Sequence, residues 1–210
     1  MRFRDRTEAG QLLAPRLEHL RGQDVVVLGL PRGGVPVAAE LARALDAPLD
    51  VIVVRKVGVP FQPELAMAAI GEGDVLVVDQ RVLALTGVTP EQMARAEEQA
   101  RAELADRVRR FRGTRAAVPL AGRIAVLVDD GIATGSTARA AAAVARALGA
   151  ARVVLAAPVG ARQSARRLAH EIDEVICLHT PRDFLAVGRF YDDFRPPRDD
   201  EVVALLAPQG

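Results

Sequence analysis

Hydrophobic positions fall into short unbroken runs, separated by stretches in which they recur every three or four residues. Val25–Leu30, Ile124–Val128 and Val153–Pro158 are almost wholly apolar. Runs of that length with no polar alternation mark strands buried on both faces, as in a parallel sheet. Asp50–Arg55 and Glu174–Leu178 read as two further strands. Residues 5–21 carry Leu12, Leu13, Leu17 and Leu20 at helical spacing, and Gly22 closes them. Helices are also expected from about Val35 to Leu45, Thr137 to Leu148, Ala161 to Glu171 and Asp199 to Leu206. Strand and helix alternate, so the expected class is α/β, a mostly parallel sheet flanked by helices in a single domain over 1–210.

The rhythm breaks between Val57 and Arg123. Gly58, Pro60, Pro63, Gly71 and Gly73 predict a loop, and Val75–Val78 a short strand at an edge or in a hairpin. Thr89, Pro90 and Gln92 then form a helix start: a cap, a first-turn proline and the partner of a capping box. Met93, Ala96, Ala100, Leu104, Val108 and Phe111 follow on one stripe among arginines and glutamates, up to Gly113. The 57–123 segment is therefore expected to be a helical insertion. It would serve either as a lid or as a contact between copies of the chain, a homo-oligomer.

Composition narrows the function. With 28 basic against 27 acidic residues the net charge is +1, which argues against binding nucleic acid by bulk charge. Seven aromatics and no tryptophan argue against stacking platforms for single strands. No apolar run is long enough to span a membrane, and the N-terminus has no apolar signal region, so a cytoplasmic location is expected. Cys177 is alone among Val175, Ile176 and Leu178, which implies a buried thiol and no internal disulfide. The three histidines have no metal-ligand spacing. Asparagine is absent and Lys56 is the only lysine, retained where every other cation is arginine.

The candidate chemistry centres on residues 126–137. The strand ends in Asp129 and Asp130. Gly131-Ile132-Ala133-Thr134-Gly135-Ser136-Thr137 then opens a helix. Such a loop aims free N–H groups and the helix dipole at an anion, and makes a phosphate cradle. The neighbouring carboxylates can accept from sugar hydroxyls or help hold a divalent cation. A second strand–loop–helix unit carries Pro31-Arg32-Gly33-Gly34, which is either a tight turn with an exposed arginine or a second anion site. Arg55 and Lys56 close the third strand, on the side where open α/β sheets bind ligands. Near the C-terminus Phe184, Phe190, Tyr191 and Phe194 surround Asp192 and Asp193. They either pack on the core or form a cap that stacks on a planar ring.

Residues 126–137 resemble the phosphoribosyl pyrophosphate (PRPP) signature of type I phosphoribosyltransferases: four apolar residues, an acidic pair, and a small, hydroxyl-rich loop around a glycine. Gly131 departs from the pattern, which usually has an aliphatic residue there. Pro31-Arg32-Gly33-Gly34 sits where the family has its pyrophosphate loop, and the resemblance extends over residues 24–180. It implies a Rossmann-like core, with residues 1–22 and 181–210 forming a small hood that reads the base through Phe190, Tyr191 and Asp192. Asp129 and Asp130 would hold the ribose hydroxyls. Ala133, Thr134, Gly135, Ser136 and Thr137 would hold the 5′-phosphate. Arg32, Gly33, Gly34 and Lys56 would hold the pyrophosphate with Mg²⁺, Arg32 and Lys56 acting catalytically. Mg²⁺ would arrive with PRPP, with Asp129 and Asp130 as its candidate protein contacts. The partners implied are small molecules, PRPP and a base. Members acting on 6-oxopurines usually carry an acid where this chain has Ala133, which points away from those bases. The rival implied by the same fold is a protein that binds PRPP only as a signal. A Walker site is excluded by spacing and by the missing lysine.

Overall fold

The structure, a computed structural model, describes residues 1–207. The last three residues of the expected hood lie outside them. The chain starts with α1 (Arg6–Leu13), capped by the Asp5 side chain on the Glu8 amide, and continues as a 3₁₀ turn over Ala14–Leu20. Then come β1 (Val25–Gly29), α2 (Gly34–Leu45) and β2 (Leu49–Val51). The C-terminal half supplies β6 (Ile124–Val128), α5 (Ser136–Ala147), β7 (Arg152–Val159), α6 (Arg162–Leu168), β8 (Glu174–His179) and α7 (Asp199–Leu206).

Five strands form one all-parallel sheet in the order β2-β1-β6-β7-β8. Alternate residues serve opposite faces, as the two-residue repeat of a strand requires. Val26, Leu28, Leu127 and Leu155 pack with α5, while Val27, Val126 and Val154 pack with α2 and the 3₁₀ turn. Each fully buried valine or leucine contributes about 1.5–3 kcal/mol over its exposed state. The chain winds outward in opposite directions from β1 and β6. The gap between their carboxyl ends is thus the switch point where such sheets open a ligand crevice.

The region 50–73 differs from expectation. The apolar run Val51–Val54 is not one strand. β2 ends at Val51, Ile52 donates to the Gly29 carbonyl, and β3 (Val54–Val59) begins a second sheet. An unbroken apolar run cannot reveal such a break. The expected glycine- and proline-rich loop is instead β4 (Gln62–Gly71), antiparallel to β3 and to β5 (Val75–Val78). β5 pairs only with residues 68–71, so Pro63 faces no ladder on its second side and is tolerated. The β3–β4 register shifts around Gly58. The insertion therefore combines a three-stranded sheet with α3 (Gln80–Thr86) and α4 (Pro90–Arg112).

The capping box of Thr89 and Gln92 is present, and Ala100, Leu104 and Phe111 bury the apolar stripe of α4 against Val57, Val59 and Met67. α7 docks by Val202 and Leu206 into the same cluster. A saturated ion cluster joins the insertion to the main sheet. Arg112 bonds both oxygens of Asp50, both of Glu72 and the Val51 carbonyl. Cys177 is half-buried rather than enclosed, and burial pushes its thiol up to about 11.

Candidate functional site

The loop after β6 is held at one point and open beyond it. Ile132 is buried, donates to the Val159 carbonyl and accepts from Ala161. That pins the loop to the end of β7. Past the pin, the amides of Ala133, Thr134, Gly135, Thr137 and Ala138 donate to no backbone carbonyl among the described residues. Thr134 Oγ1 accepts from the Ser136 amide at 3.3 Å and lies 3.0 Å from Ser136 Oγ. Converging amides at the start of a 12-residue helix, lined with hydroxyls, make an anion cradle.

Lys56 reaches this cradle by an unexpected route. Arg55 and Lys56 are neighbours in the middle of β3, so they point to opposite faces of the small sheet. Arg55 turns to α4 and pairs with Glu103. Lys56 turns to α5 and donates from Nζ to Ser136 Oγ at 3.1 Å. It sits beside this loop, on the carboxyl side of the parallel sheet as expected, but reaches it from a strand of the second sheet. Arg32 is elsewhere: its guanidinium is 3.6 Å from Asp199 of α7, whose other oxygen is 3.2 Å from Arg110.

Asp129 and Asp130 lie between the two loops. Asp129 accepts the Asp130 amide at 2.9 Å. Burial, and then the neighbouring Asp130 carboxylate, push its carboxyl up to about 7. Burial also raises Asp130, opposed by the charge and hydrogen bonds of Arg6. Gly33 touches this carboxylate so closely that a Cβ on it would lie 2.0 Å from Asp130 Oδ2. Gly131 makes similar room: a Cβ there would fall 2.4 Å from Val187 Cγ1, so the missing side chain lets the C-terminal segment close over the acidic pair.

Sequence reasoning missed Arg6. It donates from Nε to Asp130 Oδ2 at 2.8 Å, with Nη2 equally close, and from Nη1 to the Arg195 carbonyl at 2.9 Å. One arginine in so arginine-rich a chain carries no signal of its own. The candidate base-binding residues separate. Tyr191 is only 2 % exposed, packs on Phe3 and Phe194, and donates its hydroxyl to the Asp130 carbonyl at 2.7 Å. It supports the acidic loop from below and offers no open face. Phe190 is half-buried between Phe184 and His179. Asp192 is exposed and pairs with Arg2.

No cluster of three potential metal-ligating side chains occurs among the described residues. The two adjacent carboxylates fit a Mg²⁺ that shares its coordination with ligand phosphates and waters, and do not form a complete protein cage. No helix among the described residues is long and apolar enough to cross a membrane.

Comparison with known proteins agrees with this geometry. The phosphoribosyl transferase domain model matches residues 6–195. Two Mycobacterium tuberculosis proteins, from strains CDC 1551 and H37Rv, provisionally named phosphoribosyl transferases, are each 57% identical over 204 residues. That is 97% of this chain and 46% of each relative, so the chain spans about half their length. The crystal structure of TT1426 from Thermus thermophilus superposes with a TM-score of 0.89 at 46% identity, covering 98% of both chains. The cradle at the sheet's switch point and the match over nearly the whole chain have one conclusion: this chain belongs to the type I phosphoribosyltransferase family.

Proposed function

We propose that the chain transfers ribose 5-phosphate from PRPP to a nitrogenous base, releasing pyrophosphate, or runs this reaction in reverse, as in nucleotide salvage. The observation that carries the reading is the set of amides of Ala133, Thr134, Gly135, Thr137 and Ala138, which have no backbone acceptor among the described residues, beside two carboxylates and a lysine. In this reading the amides and the Thr134, Ser136 and Thr137 hydroxyls hold the 5′-phosphate, with Lys56 as its countercharge. This moves Lys56 from the pyrophosphate, where family resemblance alone would place it, to the other end of the sugar. Asp129 and Asp130 accept from the ribose hydroxyls. Arg32 and the Gly33 backbone face the pyrophosphate, for which Arg32 exchanges its long contact with Asp199, whereas the Gly34 amide donates to the Leu30 carbonyl at 3.0 Å and Gly34 serves close packing against β6.

A base nitrogen attacks C1 as the C1–O bond to pyrophosphate breaks, and the nitrogen's proton passes to solvent or a basic group. Charge on the leaving group must be neutralised in a water-poor site, which Arg32 serves. Mg²⁺ bound with PRPP would add charge neutralisation on the pyrophosphate. In this reading the hairpin β3–β4, which carries Lys56, covers the sugar.

The test is turnover. The chain is incubated with PRPP, Mg²⁺ and a panel of purine and pyrimidine bases, and pyrophosphate release is followed. Release that depends on one class of base is expected. Tight PRPP binding without release on any base would replace the transferase by a PRPP sensor.

A further inference from the structure

Arg6 is 8 % exposed and lies outside both ligand loops, yet it is bonded to a carboxylate assigned to the sugar. Each of its three nitrogens has a partner. Nε and Nη2 converge on the single oxygen Oδ2 of Asp130, and Nη1 is taken by the Arg195 carbonyl. The guanidinium carbon lies 4.2 Å from the Phe194 ring centroid, close enough for cation–π contact. The other carboxylate oxygen, Oδ1, accepts no side-chain or backbone hydrogen bond among the described residues. Asp130 is thus fixed by one oxygen, with Gly33 packed against the same edge, and its second oxygen is left for a ligand.

A buried ion pair is weak evidence for stability, since an apolar pair of similar volume often serves as well. Its placement on a ligand-binding carboxylate is what gives it meaning. We infer that Arg6 is a positioning residue for sugar recognition: it holds Asp130 in one orientation and presents Oδ1 to a ribose hydroxyl. Through Phe194 and Arg195 it ties the C-terminal segment to that orientation. Arg6 does not touch the reacting atoms. It acts through Asp130, and pre-set orientation of such a group is worth about tenfold to a hundredfold in affinity. The inference rests on the proposed PRPP site.

The test compares ligands with and without the diol. Wild type, Arg6→Gln and Arg6→Lys are titrated calorimetrically, in Mg²⁺, with PRPP, inorganic pyrophosphate, ribose 5-phosphate and 2-deoxyribose 5-phosphate. In Arg6→Gln, PRPP affinity should fall about tenfold to a hundredfold with pyrophosphate affinity unchanged, and the preference for ribose over deoxyribose should collapse. Arg6→Lys, which keeps the charge but not the fork, should recover part of both. If Arg6→Gln melts well below wild type, Arg6→Lys carries the comparison alone. Its diol preference must then lie below that of wild type. Undiminished diol preference in the folded variant, or equal loss of PRPP and pyrophosphate, overturns the inference. A wild-type protein that binds no PRPP refutes the proposed function itself and the inference with it.

Discussion

Replacing Arg112 by methionine tests how the insertion is joined to the sheet. All five guanidinium N–H groups have acceptors: both oxygens of Asp50 at 2.9 and 2.8 Å, both of Glu72 at 2.6 and 3.0 Å, and the Val51 carbonyl at 3.1 Å. Burial opposes the charge on Arg112, but the bonds to Glu72 and Asp50 more than compensate and hold its pKa above the ordinary value. Methionine removes the cation and leaves Asp50, 2 % exposed, with the Val51 and Val118 amides and a distant Arg115. Breaking a buried pair from one side costs about 3–5 kcal/mol. That is a large share of the roughly 5–15 kcal/mol that holds a domain together. At about 2–4 °C per kcal/mol for a chain of this size, the melting transition should fall by about 6–20 °C. The Asp50→Asn, Arg112→Met double variant should lose less than the two single losses added, by about 1–3 kcal/mol in a urea double-mutant cycle. A drop of under about 2 °C, or strict additivity, would refute the reasoning.

Three further outcomes are expected. Gly33→Ala places a methyl where Asp130 Oδ2 now sits, so Asp130 must move; PRPP affinity should fall about tenfold to a hundredfold, and unchanged affinity would show that the two loops do not cooperate. Asp129 titrates near 7 when folded against an ordinary 3.8, so its contribution to stability is present below about pH 4 and is lost as pH rises through about 7. Wild type should therefore weaken relative to Asp129→Asn between about pH 4 and about pH 7 in urea melts, whereas a constant difference would place Asp129 in a polar setting. Phe111→Ala should cost about 3–5 kcal/mol, because Phe111 is buried where α4 meets β3 and β4; a loss under about 1 kcal/mol would mean that α4 is not docked there.

The main sheet was legible because its strands are apolar on both faces. Val25–Gly29 and Ile124–Val128 are unbroken apolar stretches between loops and helices, and a doubly covered strand is what such stretches suit. The placement of the acidic pair and of the small, hydroxyl-rich loop between β6 and α5 was legible too, since the apolar strand before them and the helix after them are marked in the sequence. The small sheet was not. Val51–Val54 has no polar residue to mark where the chain leaves β2, and Pro60 and Pro63 disguise β4, which is open on one side for half its length. This error carried over to Lys56, which its uniqueness singled out but whose partner, Ser136, lay hidden. Tyr191 was singled out for its aromatic ring, but its hydroxyl is what matters in the fold, because it supports the Asp130 carbonyl. The contact between Arg6 and Asp130 spans 124 residues, a separation that no local pattern encodes.

Calorimetric titration with PRPP, with and without Mg²⁺, on wild type and Asp130→Ala tests the assigned site most directly. Saturable Mg²⁺-dependent binding by wild type is expected, lost or weakened at least about tenfold in the variant, as removal of a charged hydrogen-bond acceptor implies. Equal binding by Asp130→Ala would place the ligand elsewhere and contradict the assignment.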